Sequence, residues 1–279
     1  MKTAIVNKII PFSSVDGPGN RTAIFLQGCN INCLYCHNPE TINVCINCGE
    51  CIEYCPTGAI KRSENGKVIW NEKKCTDCDE CIRVCKNLST PKVRVMTAEE
   101  VALEINKYKP FIQGITVSGG ECTLQSEFIT ELFRITKKMG LTNFIDSNGT
   151  VALWNKKELL EVTDKVMFDL KAYDINEHVK LTGEGNENVL ENIVRLGEVD
   201  KIFEVRTVIV PDILNNSETV ERTSKLIAGI NNNIRYKLIK YRKYGVRKDL
   251  QGTESPLDSY MEYLKEVATQ NGCKDVIIV

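Results

Sequence analysis

The chain has 279 residues, in which 36 lysines and arginines balance 37 aspartates and glutamates to a formal net charge of −1. This length predicts one large domain or two unequal domains, with enough chain to bury a sizeable core. Because no excess charge of either sign creates a long-range field, we expect neither nucleic acid nor a membrane as a partner.

The cysteine content is high, with 13 in the chain, and most of them stand in closely spaced runs between Cys29 and Cys85. Such spacing favours metal binding, while a disulfide framework is the alternative interpretation. The N-terminal residues interrupt their apolar run with Asn7, Lys8 and Pro11, and no later apolar run approaches the ~18 residues of a membrane span. We therefore expect a soluble cytoplasmic protein whose thiols are reduced.

Two strands are predicted first in chain order, over residues 4–12 and 22–27, with the glycine-rich turn DGPG at residues 16–19 between them. The second strand leads into a loop with a C-x3-C-x2-C array, formed by Cys29, Cys33 and Cys36. Zinc sites and ordinary iron–sulfur sites use four protein ligands. Three thiolates therefore leave one iron of a 4Fe-4S cube open to a substrate, and the spacing predicts a reactive cluster rather than a structural one.

From residue 45 to about residue 95 the chain loses its hydrophobic periodicity and contains an internal repeat. Each copy reads C-x2-C-x2-C-x3-C, the run that holds 4Fe-4S clusters in bacterial ferredoxins, where the fourth cysteine binds the other cluster. We therefore assign one cluster to Cys45, Cys48, Cys51 and Cys85, and a second cluster to Cys75, Cys78, Cys81 and Cys55. Two structural zinc sites are the alternative. The second copy lacks the proline that follows the first, which changes its predicted loop shape but not its ligands.

From Thr97 onward, predicted helices alternate with predicted strands, and Thr97 with Glu100 forms a capping-box pattern. Helices are expected over residues 97–108, 127–138, 157–162, 186–196, 218–227 and 257–269, and strands over residues 115–117, 143–145, 166–168, 203–210, 235–241 and 275–279. This alternation predicts right-handed βαβ units and a parallel sheet. Such sheets place their chemistry at the carboxyl ends of the strands.

Polar motifs follow several of these predicted strands. They are the turn SGGE at residues 118–121, the segment DSN at residues 146–148, the segment DLK at residues 169–171, and Arg206. If the sheet curls into a barrel, these motifs and the three-cysteine loop meet in one cavity.

An aromatic residue, Tyr35, precedes the last cysteine of the loop, Arg21 follows the DGPG turn, and the cysteine array continues into the segment CHNPE at residues 36–40. With these features the chain resembles the activating enzymes of glycyl radical enzymes, which are radical S-adenosylmethionine (SAM) proteins. The resemblance covers nearly the whole chain. It implies an α/β fold. Residues 1–43 and 96–279 would form an open, partial (β/α)6 barrel. An inserted ferredoxin-like domain with two 4Fe-4S clusters would span residues 44–95.

The resemblance also implies a reaction and its cofactors, three 4Fe-4S clusters and SAM. The methionyl amine and carboxylate of SAM would chelate the open iron at the three-cysteine loop. One electron from flavodoxin or ferredoxin would split SAM into methionine and a 5'-deoxyadenosyl radical, which takes hydrogen from the α carbon of a glycine in a partner enzyme. The short insert and the segments VDGPGNR, FLQGCN and CLYCHNPETI are most similar to the YjjW-type activators, whose presumed partner is a YjjI-type glycyl radical enzyme.

The same resemblance implies which residues contact SAM. The turn formed by Gly119, Gly120 and Glu121 would hold the SAM amine, with Tyr35 at the adenine. The ribose and the methionyl carboxylate would be contacted by Asp146, Ser147, Asp169 and Lys171, where Ser147 replaces the usual threonine. Two further cofactor-binding residues are Asn38 and Arg206. For these motifs the alternatives are structural: a plain turn, core packing, a helix cap or a surface salt bridge.

A basic stretch follows the strand predicted at residues 235–241, and it comprises Arg235, Lys237, Lys240, Arg242, Lys243, Arg247 and Lys248. We interpret it as a solvated rim, with docking of an acidic partner surface as the alternative. Some activators carry Pro-Tyr-His where this chain has Lys-Tyr-Arg at residues 240–242, so no role of that histidine is assigned here. Cys122 and Cys273 are expected to be buried packing residues.

Two rival functions remain at this stage. The first is a radical SAM enzyme that acts on a small molecule or peptide, with its auxiliary clusters at the active site. The second is an electron-transfer module built around the ferredoxin-like segment, which leaves the three-cysteine array and the SGGE turn without a role.

Overall fold

The computed structural model describes residues 2–243, 250 and 252–279. Its strands, in chain order, are β1 Thr3–Ser13, β2 Arg21–Leu26, β3 Ile60–Arg62, β4 Val68–Trp70, β5 Arg94–Thr97, β6 Gly114–Gly119, β7 Thr142–Ser147, β8 Lys165–Asp169, β9 Ile202–Ile209, β10 Arg235–Lys240 and β11 Val276–Ile278. Its α-helices are α1 Glu80–Arg83, α2 Ala98–Asn106, α3 Ser126–Lys138, α4 Lys157–Val162, α5 Ile175–Thr182, α6 Glu187–Glu198, α7 Asn216–Asn231 and α8 Asp258–Gln270.

In the described part of the chain nine strands form one sheet, in the order β11-β10-β9-β8-β7-β6-β2-β1-β5. Seven of them, β2 and β6 to β11, pair with one another in parallel. Only β1 runs against its neighbours, which are β2 on one side and β5 on the other. The predicted α/β class and parallel sheet are confirmed. The sheet has seven parallel strands, one more than the six of the predicted (β/α)6 arrangement. Because β5 and β11 remain as edges, the sheet does not close on itself.

Helices pack along the sheet in neighbouring pairs, α2 with α3, α3 with α4, α6 with α7 and α7 with α8. The apolar side chains of α3, among them Phe128, Leu132 and Phe133, are buried in one core with strand residues such as Val117 and Val205. This core lies between the sheet and its helices because both bury their apolar faces there. Among the described residues, no helix has the length and apolarity needed to cross a membrane.

The predicted capping box at the start of α2 is confirmed. The Thr97 hydroxyl accepts from the Glu100 amide at 3.2 Å, and the Glu100 carboxylate accepts from the Thr97 amide at 2.8 Å. Five short elements were not predicted: α1, α5, the edge strand β5, and the strands β3 and β4 that form a hairpin. Each has only three to eight residues, which is too few to show a clear hydrophobic period.

The segment between Asn43 and β5 has an apolar cluster of its own. The buried members are Cys51, Ile60 and Cys81, and Val68 and Trp70 from the hairpin pack against them. The cysteine-rich segment therefore folds around a small separate core rather than around the core of the sheet.

The amino-terminal ends of the parallel strands are tied together by Arg21, the first residue of β2. Its guanidinium is buried and donates to Thr116 Oγ1 at 2.9 Å, to the Ile115 carbonyl at 2.6 Å, and to both Oγ1 and the carbonyl of Thr142. It also lies 4.1 Å from the centre of the Phe144 ring. Burial lowers the pKa of Arg21 to about 10, so the group remains charged at neutral pH. One side chain thus connects β2, β6 and β7.

Replacing Arg21 with leucine removes these donors and leaves buried oxygens without partners. We expect the free energy of unfolding to fall by about 3 kcal/mol, because hydrogen bonds from a charged group are the strong ones. Anaerobic chemical denaturation followed by circular dichroism measures this change. In the control Arg134→Leu, which breaks the half-exposed pair with Glu158, we expect a loss below about 1 kcal/mol. Equal losses in both variants would contradict the role of Arg21.

Candidate functional site

A cavity of about 270 Å³ lies at the carboxyl ends of β2 and β6 to β10. Nearly all the predicted site residues line it: Cys29, Cys33, Tyr35, Cys36, Asn38, Gly119, Gly120, Asp146, Ser147, Asp169, Lys171 and Arg206. The parallel sheet therefore brings together motifs that are up to 177 positions apart, from position 29 to position 206. Sequence reasoning missed the apolar lining residues Val208 and Ile239, which follow the alternation of β9 and β10 into the cavity.

The loop with the three cysteines is fixed by its backbone on two sides. On one side, the amides of Gly28 and Cys29 donate to the carbonyls of Thr41 and Ile42, both at 2.8 Å. On the other side, amides of the loop donate to the last residues of α5: Asn32 to Thr182 at 2.8 Å and Leu34 to Leu181 at 3.0 Å. The loop that carries the thiols is thus held, through its backbone amides, by carbonyls from other parts of the chain.

Helix α5 matters for the site although sequence reasoning missed it. Its N-terminus is capped by Asp174, whose carboxylate accepts from the amides of Asn176 and Glu177. Its C-terminus ends at Gly183 with φ of 87°, the left-handed conformation that favours glycine. An aspartate before the helix and a glycine after it are the signals that could have revealed it.

The glycine turn after β6 packs directly against the three-cysteine loop. The Gly120 amide donates to the Leu26 carbonyl at 3.0 Å, and the Glu121 amide donates to the Gly28 carbonyl at 2.8 Å. A Cβ atom on Gly120 would lie 2.3 Å from the Gly28 carbonyl oxygen, and one on Gly119 would lie 2.2 Å from that of Leu26. The glycines are therefore required for backbone to approach backbone, between two strand ends.

Glu121 is the predicted site residue that does not line the cavity, since only 1% of it is exposed. Its Oε1 accepts from the Thr123 amide at 3.0 Å and from the hydroxyl of Ser147 at 3.0 Å, and its Oε2 accepts from the Asn148 amide at 2.7 Å. Burial raises the pKa of this carboxyl. In this structure Glu121 holds the turn after β7, and its contact with the SAM amine stays a prediction.

Two aspartates and two cations form a connected group at the cavity. Arg206 donates to Asp146 and, at 2.6 Å, to Asp169, which also binds the ammonium of Lys171 at 3.1 Å. Asp146 accepts in addition from Ser118 at 2.9 Å. Burial disfavours ionisation of Asp169, but the charges of Arg206 and Lys171 outweigh it and hold its pKa at about 2. Burial raises the pKa of Asp146, and the Arg206 guanidinium beside it opposes this shift. The group thus places two carboxyls against two cations.

Tyr35 lies in a second apolar cluster with Leu181, Val210, Tyr241 and Leu250. Only 4% of Tyr35 is exposed, and its buried hydroxyl has no hydrogen-bond partner within the described residues. The ring also lies 5.7 Å from the ammonium of Lys171. Tyr35 thus lines the cavity and carries a buried polar atom without a partner among the described residues.

The interpretation of the basic stretch as a solvated rim is wrong for Lys237. This ammonium binds Glu204 at 2.6 Å, next to Arg206 in the barrel interior, and only 13% of the side chain is exposed. Other cations of the stretch form ion pairs: Arg235 with Asp275, Lys240 with Asp258 and Lys243 with Glu254. Arg247 and Lys248 lie outside the described residues. Sequence reasoning missed Glu204 because nothing local marks its strand position as a charge partner.

Neither remaining cysteine lines the cavity. Cys122 is fully buried, and its thiol donates to the carbonyls of Val117 at 3.4 Å and Asp146 at 3.3 Å. Cys273 is 2% exposed in the main core. The prediction that both are packing residues is confirmed.

The repeated cysteines surround two further cavities, each of about 20 Å³. One is lined by what we call the Cys45 set: Cys45, Cys48, Cys51 and Cys85. The other is lined by the Cys55 set: Cys55, Cys75, Cys78 and Cys81. In each cavity the fourth cysteine of one run joins the first three of the other run, as the ferredoxin spacing predicts. All 13 cysteines lie in the described part of the chain, and none forms a disulfide.

No three His, Cys, Asp or Glu side chains of the described residues are arranged to hold a single metal ion. A 4Fe-4S cube binds each thiolate to a different iron and so needs a wider arrangement. Cys51 and Cys81 are the buried thiols of the two sets, and burial raises the pKa of Cys51 to about 11.

Comparison with known proteins agrees with this geometry. A family model described as the Radical SAM superfamily matches residues 23–227. The chain belongs to this superfamily. It is 31% identical to the (2S)-3-sulfopropanediol dehydratase activating enzyme of Klebsiella oxytoca, over 80% of this chain and 76% of that protein. It is 29% identical to the pyruvate formate-lyase 1-activating enzyme of Escherichia coli K12, over 97% and 98% of the two chains.

Among solved structures, QueE from Escherichia coli shares the fold with a TM-score of 0.54. The match covers 99% of this chain and 94% of that chain at 12% sequence identity. At this identity the likeness shows only that the two chains share an α/β fold.

Replacing Gly120 with alanine tests the close packing under the three-cysteine loop. The new Cβ would meet the carbonyl oxygens of Gly28 and Thr41, so we expect the free energy of unfolding to fall by about 2 kcal/mol. Anaerobic denaturation in urea measures it. The control is Gly229→Ala in α7, where a Cβ meets no atom within 4 Å and alanine should stabilise the helix by up to about 1 kcal/mol. A neutral Gly120→Ala would contradict the packing.

Proposed function

We propose that this chain is the activating enzyme of a glycyl radical enzyme. It cleaves SAM reductively to a 5'-deoxyadenosyl radical, which abstracts a hydrogen from a glycine of the partner protein. The observation that carries this function is the single cavity in which the three-cysteine loop faces the two aspartates, Lys171 and Arg206. The curated relatives with activating-enzyme names support the same activity.

The residues present fit the implied cofactors. Cys29, Cys33 and Cys36 open onto one cavity and would supply three thiolates to a 4Fe-4S cluster. When bound, the cluster and SAM supply the one-electron cleavage of the sulfonium. The unpartnered hydroxyl of Tyr35 and the ionised group around Asp169 offer the polar contacts that a zwitterionic nucleoside requires.

The chain's own residues bind, orient and exclude water. Lys171 presents an ammonium to a ligand carboxylate, while Asp169 keeps that ammonium in place. Arg206 holds the carboxylates of Asp146 and Asp169 at fixed positions, from which they can accept hydrogen bonds. Val208 and Ile239 make the cavity wall apolar on the side of β9 and β10 and limit the access of water to a radical.

The site assignments extend to the inserted segment. We assign the radical SAM barrel to residues 1–43 and 96–279, and a ferredoxin-like domain to residues 44–95. The Cys45 set and the Cys55 set would each hold one 4Fe-4S cluster, which gives three clusters per chain. The two separate four-cysteine cavities and the small apolar core around Cys51 and Cys81 support this assignment.

The partner and the setting follow from the same function. The protein substrate would be a glycyl radical enzyme, and the similarity to YjjW-type activators favours a YjjI-type partner. Flavodoxin or ferredoxin would supply the electron. We place the reaction in an anaerobic cytoplasm, because it requires thiols that are kept reduced.

The function is tested by anaerobic reconstitution with iron and sulfide, followed by reduction in the presence of SAM and a candidate partner. We expect about twelve irons per chain for three cubes, release of 5'-deoxyadenosine, and a glycyl radical doublet in the partner by electron paramagnetic resonance (EPR). A preparation that cleaves SAM but gives no glycyl radical with any glycyl radical enzyme of the same genome contradicts the activase function.

Two cysteine variants make this test specific. Cys33→Ala should contain about eight irons and release no 5'-deoxyadenosine, because it removes a ligand of the catalytic cluster. Cys273→Ala removes a buried thiol outside all three sets and should retain the iron content and product release of the unmodified protein.

A second prediction concerns the contact between Lys171 and SAM. Lys171→Met should weaken SAM binding by about 10- to 100-fold, since a hydrogen bond to a charged group contributes about 1.5 to 3 kcal/mol. Equilibrium titration of the reconstituted protein with SAM measures the Kd. The matched control is Lys165→Met at the opposite end of β8, where the ammonium binds Asp200. Unchanged affinity in Lys171→Met would refute the assignment.

A further inference from the structure

One peptide group connects the three-cysteine loop with the loop of the Cys45 set. The carbonyl of Ile42 accepts from the Cys29 amide at 2.8 Å. The amide of the same peptide bond, that of Asn43, donates to the Leu88 carbonyl at 3.0 Å. Leu88 lies three residues after Cys85, a member of the Cys45 set. Two hydrogen bonds and one peptide plane therefore lead from a catalytic cysteine to the loop of an insert cysteine.

Side-chain amides hold this bridge in place from both sides. Asn43 Nδ2 donates to the Asn87 carbonyl at 3.0 Å, and Asn87 Nδ2 donates to the Val44 carbonyl at 3.0 Å. From the barrel side, the buried Gln27 donates through Nε2 to the carbonyls of Glu40 and Asn43, both at 2.6 Å. These contacts fix the position of segment 40–44 relative to both loops.

The backbone at Leu88 is strained where its carbonyl accepts from Asn43. Its φ is 46°, in the left-handed region that a branched side chain such as leucine rarely adopts. Strain of this kind persists only where the surrounding structure determines the conformation. The carbonyl that Leu88 presents to Asn43 is thus part of a built connection.

The Cys55 set is separated from the barrel by open space. A cavity of about 440 Å³ is lined both by Cys75, Asp77 and Lys92 of the cysteine-rich segment and by residues of β1 and Glu40. Lys92 is committed to ion pairs with Asp77 and Asp79 within the insert. The two cysteine sets therefore differ in how they are connected with the three-cysteine loop.

Resting on the proposed function, we propose that the Cys45 set holds the immediate electron donor to the catalytic cluster, through the Ile42–Asn43 peptide bridge. A one-electron carrier protein of the flavodoxin or ferredoxin class would give up one electron to the group held by the Cys45 set. The Ile42–Asn43 bridge would then provide the route of that electron to the three-cysteine loop, without transfer of a proton. The Cys55 set is the more remote site. Asn43, Asn87 and Gln27 act as positioning residues for this route.

Magnetic coupling between reduced clusters tests the proposal without reference to turnover. Cys48→Ala and Cys78→Ala each remove the exposed second cysteine of one run, leaving one intact insert set beside the three-cysteine loop. In fully reduced Cys78→Ala, the EPR signal of the catalytic cluster should be broadened by its neighbour in the Cys45 set. In Cys48→Ala this broadening should be lost. Stronger broadening in Cys48→Ala, or none in either variant, would overturn the proposal.

A second comparison is independent of ligand loss, which could unfold the insert. The double variant Asn43→Ala/Asn87→Ala removes the side-chain bonds of the bridge and keeps all cysteines. Its catalytic cluster should be reduced by reduced ferredoxin about tenfold more slowly, equivalent to about 1.4 kcal/mol of barrier. Rapid freeze-quench EPR measures this rate. The control is Asn71→Ala. The side-chain oxygen of Asn71 accepts from the Lys73 amide in a turn before Cys75, and the variant should keep the unmodified rate. Equal rates in both variants would refute the bridge.

The unmodified protein separates this inference from the proposed function. With an excess of a small chemical reductant, the electron reaches the catalytic cluster by any route, and 5'-deoxyadenosine should form. Absence of product under that condition contradicts the proposed function itself. Product formation together with identical coupling in Cys48→Ala and Cys78→Ala contradicts only the route through the Cys45 set.

Discussion

Close contact of backbone with backbone at the carboxyl end of β2 is the constraint on which this site depends. The loop of Cys29, Cys33 and Cys36 has no regular secondary structure, and its amides donate to carbonyls of segment 41–42 and of α5. The glycine turn after β6 closes the third side, where a single Cβ on Gly120 would collide with the carbonyl of Gly28. Because these contacts involve main-chain atoms, the backbone fixes the position of the loop, and the Asn148 side-chain amide adds a contact to the Cys29 thiol.

The charged groups of the barrel interior are also held by contacts with one another. Asp146, Asp169, Lys171 and Arg206 come from three neighbouring strand ends, and Glu204 with Lys237 adds a buried pair beside them. Buried charges are tolerated only when they are paired and hydrogen-bonded. The balance lets the interior stay polar, so that a charged ligand meets fixed partners rather than a hydrophobic wall.

Much of this architecture is encoded in local patterns. The alternation of apolar strand and amphipathic helix after Thr97 predicts the parallel sheet, and the carboxyl-end rule then predicts that residues as distant as Tyr35 and Arg206 share one cavity. The spacing of the repeated cysteines predicts that the fourth cysteine of each run joins the first three of the other run. The Cys45 set and the Cys55 set follow from this property of the motif.

The features that the sequence could not predict depend on contacts between residues that are far apart in the chain. The carboxylate of Glu121 turns away from the cavity because Thr123, Ser147 and Asn148 offer it donors from a second strand end. No local pattern marks Arg21 as the tie between three strands, or Lys237 as an interior residue. Helix α5 was missed because its eight residues are mostly polar, although its final carbonyls support the three-cysteine loop.

The order of these parts along the chain has a consequence for synthesis. All cysteines of the three sets precede β6, so during translation they emerge before most of the sheet exists. The insert has its eight thiols and its own apolar core within residues 45–85 and can mature early. The three-cysteine loop, in contrast, gains its last backbone partners when residues 181 and 182 leave the ribosome. The residues that surround the three-cysteine loop are thereby the last of these parts to be synthesised.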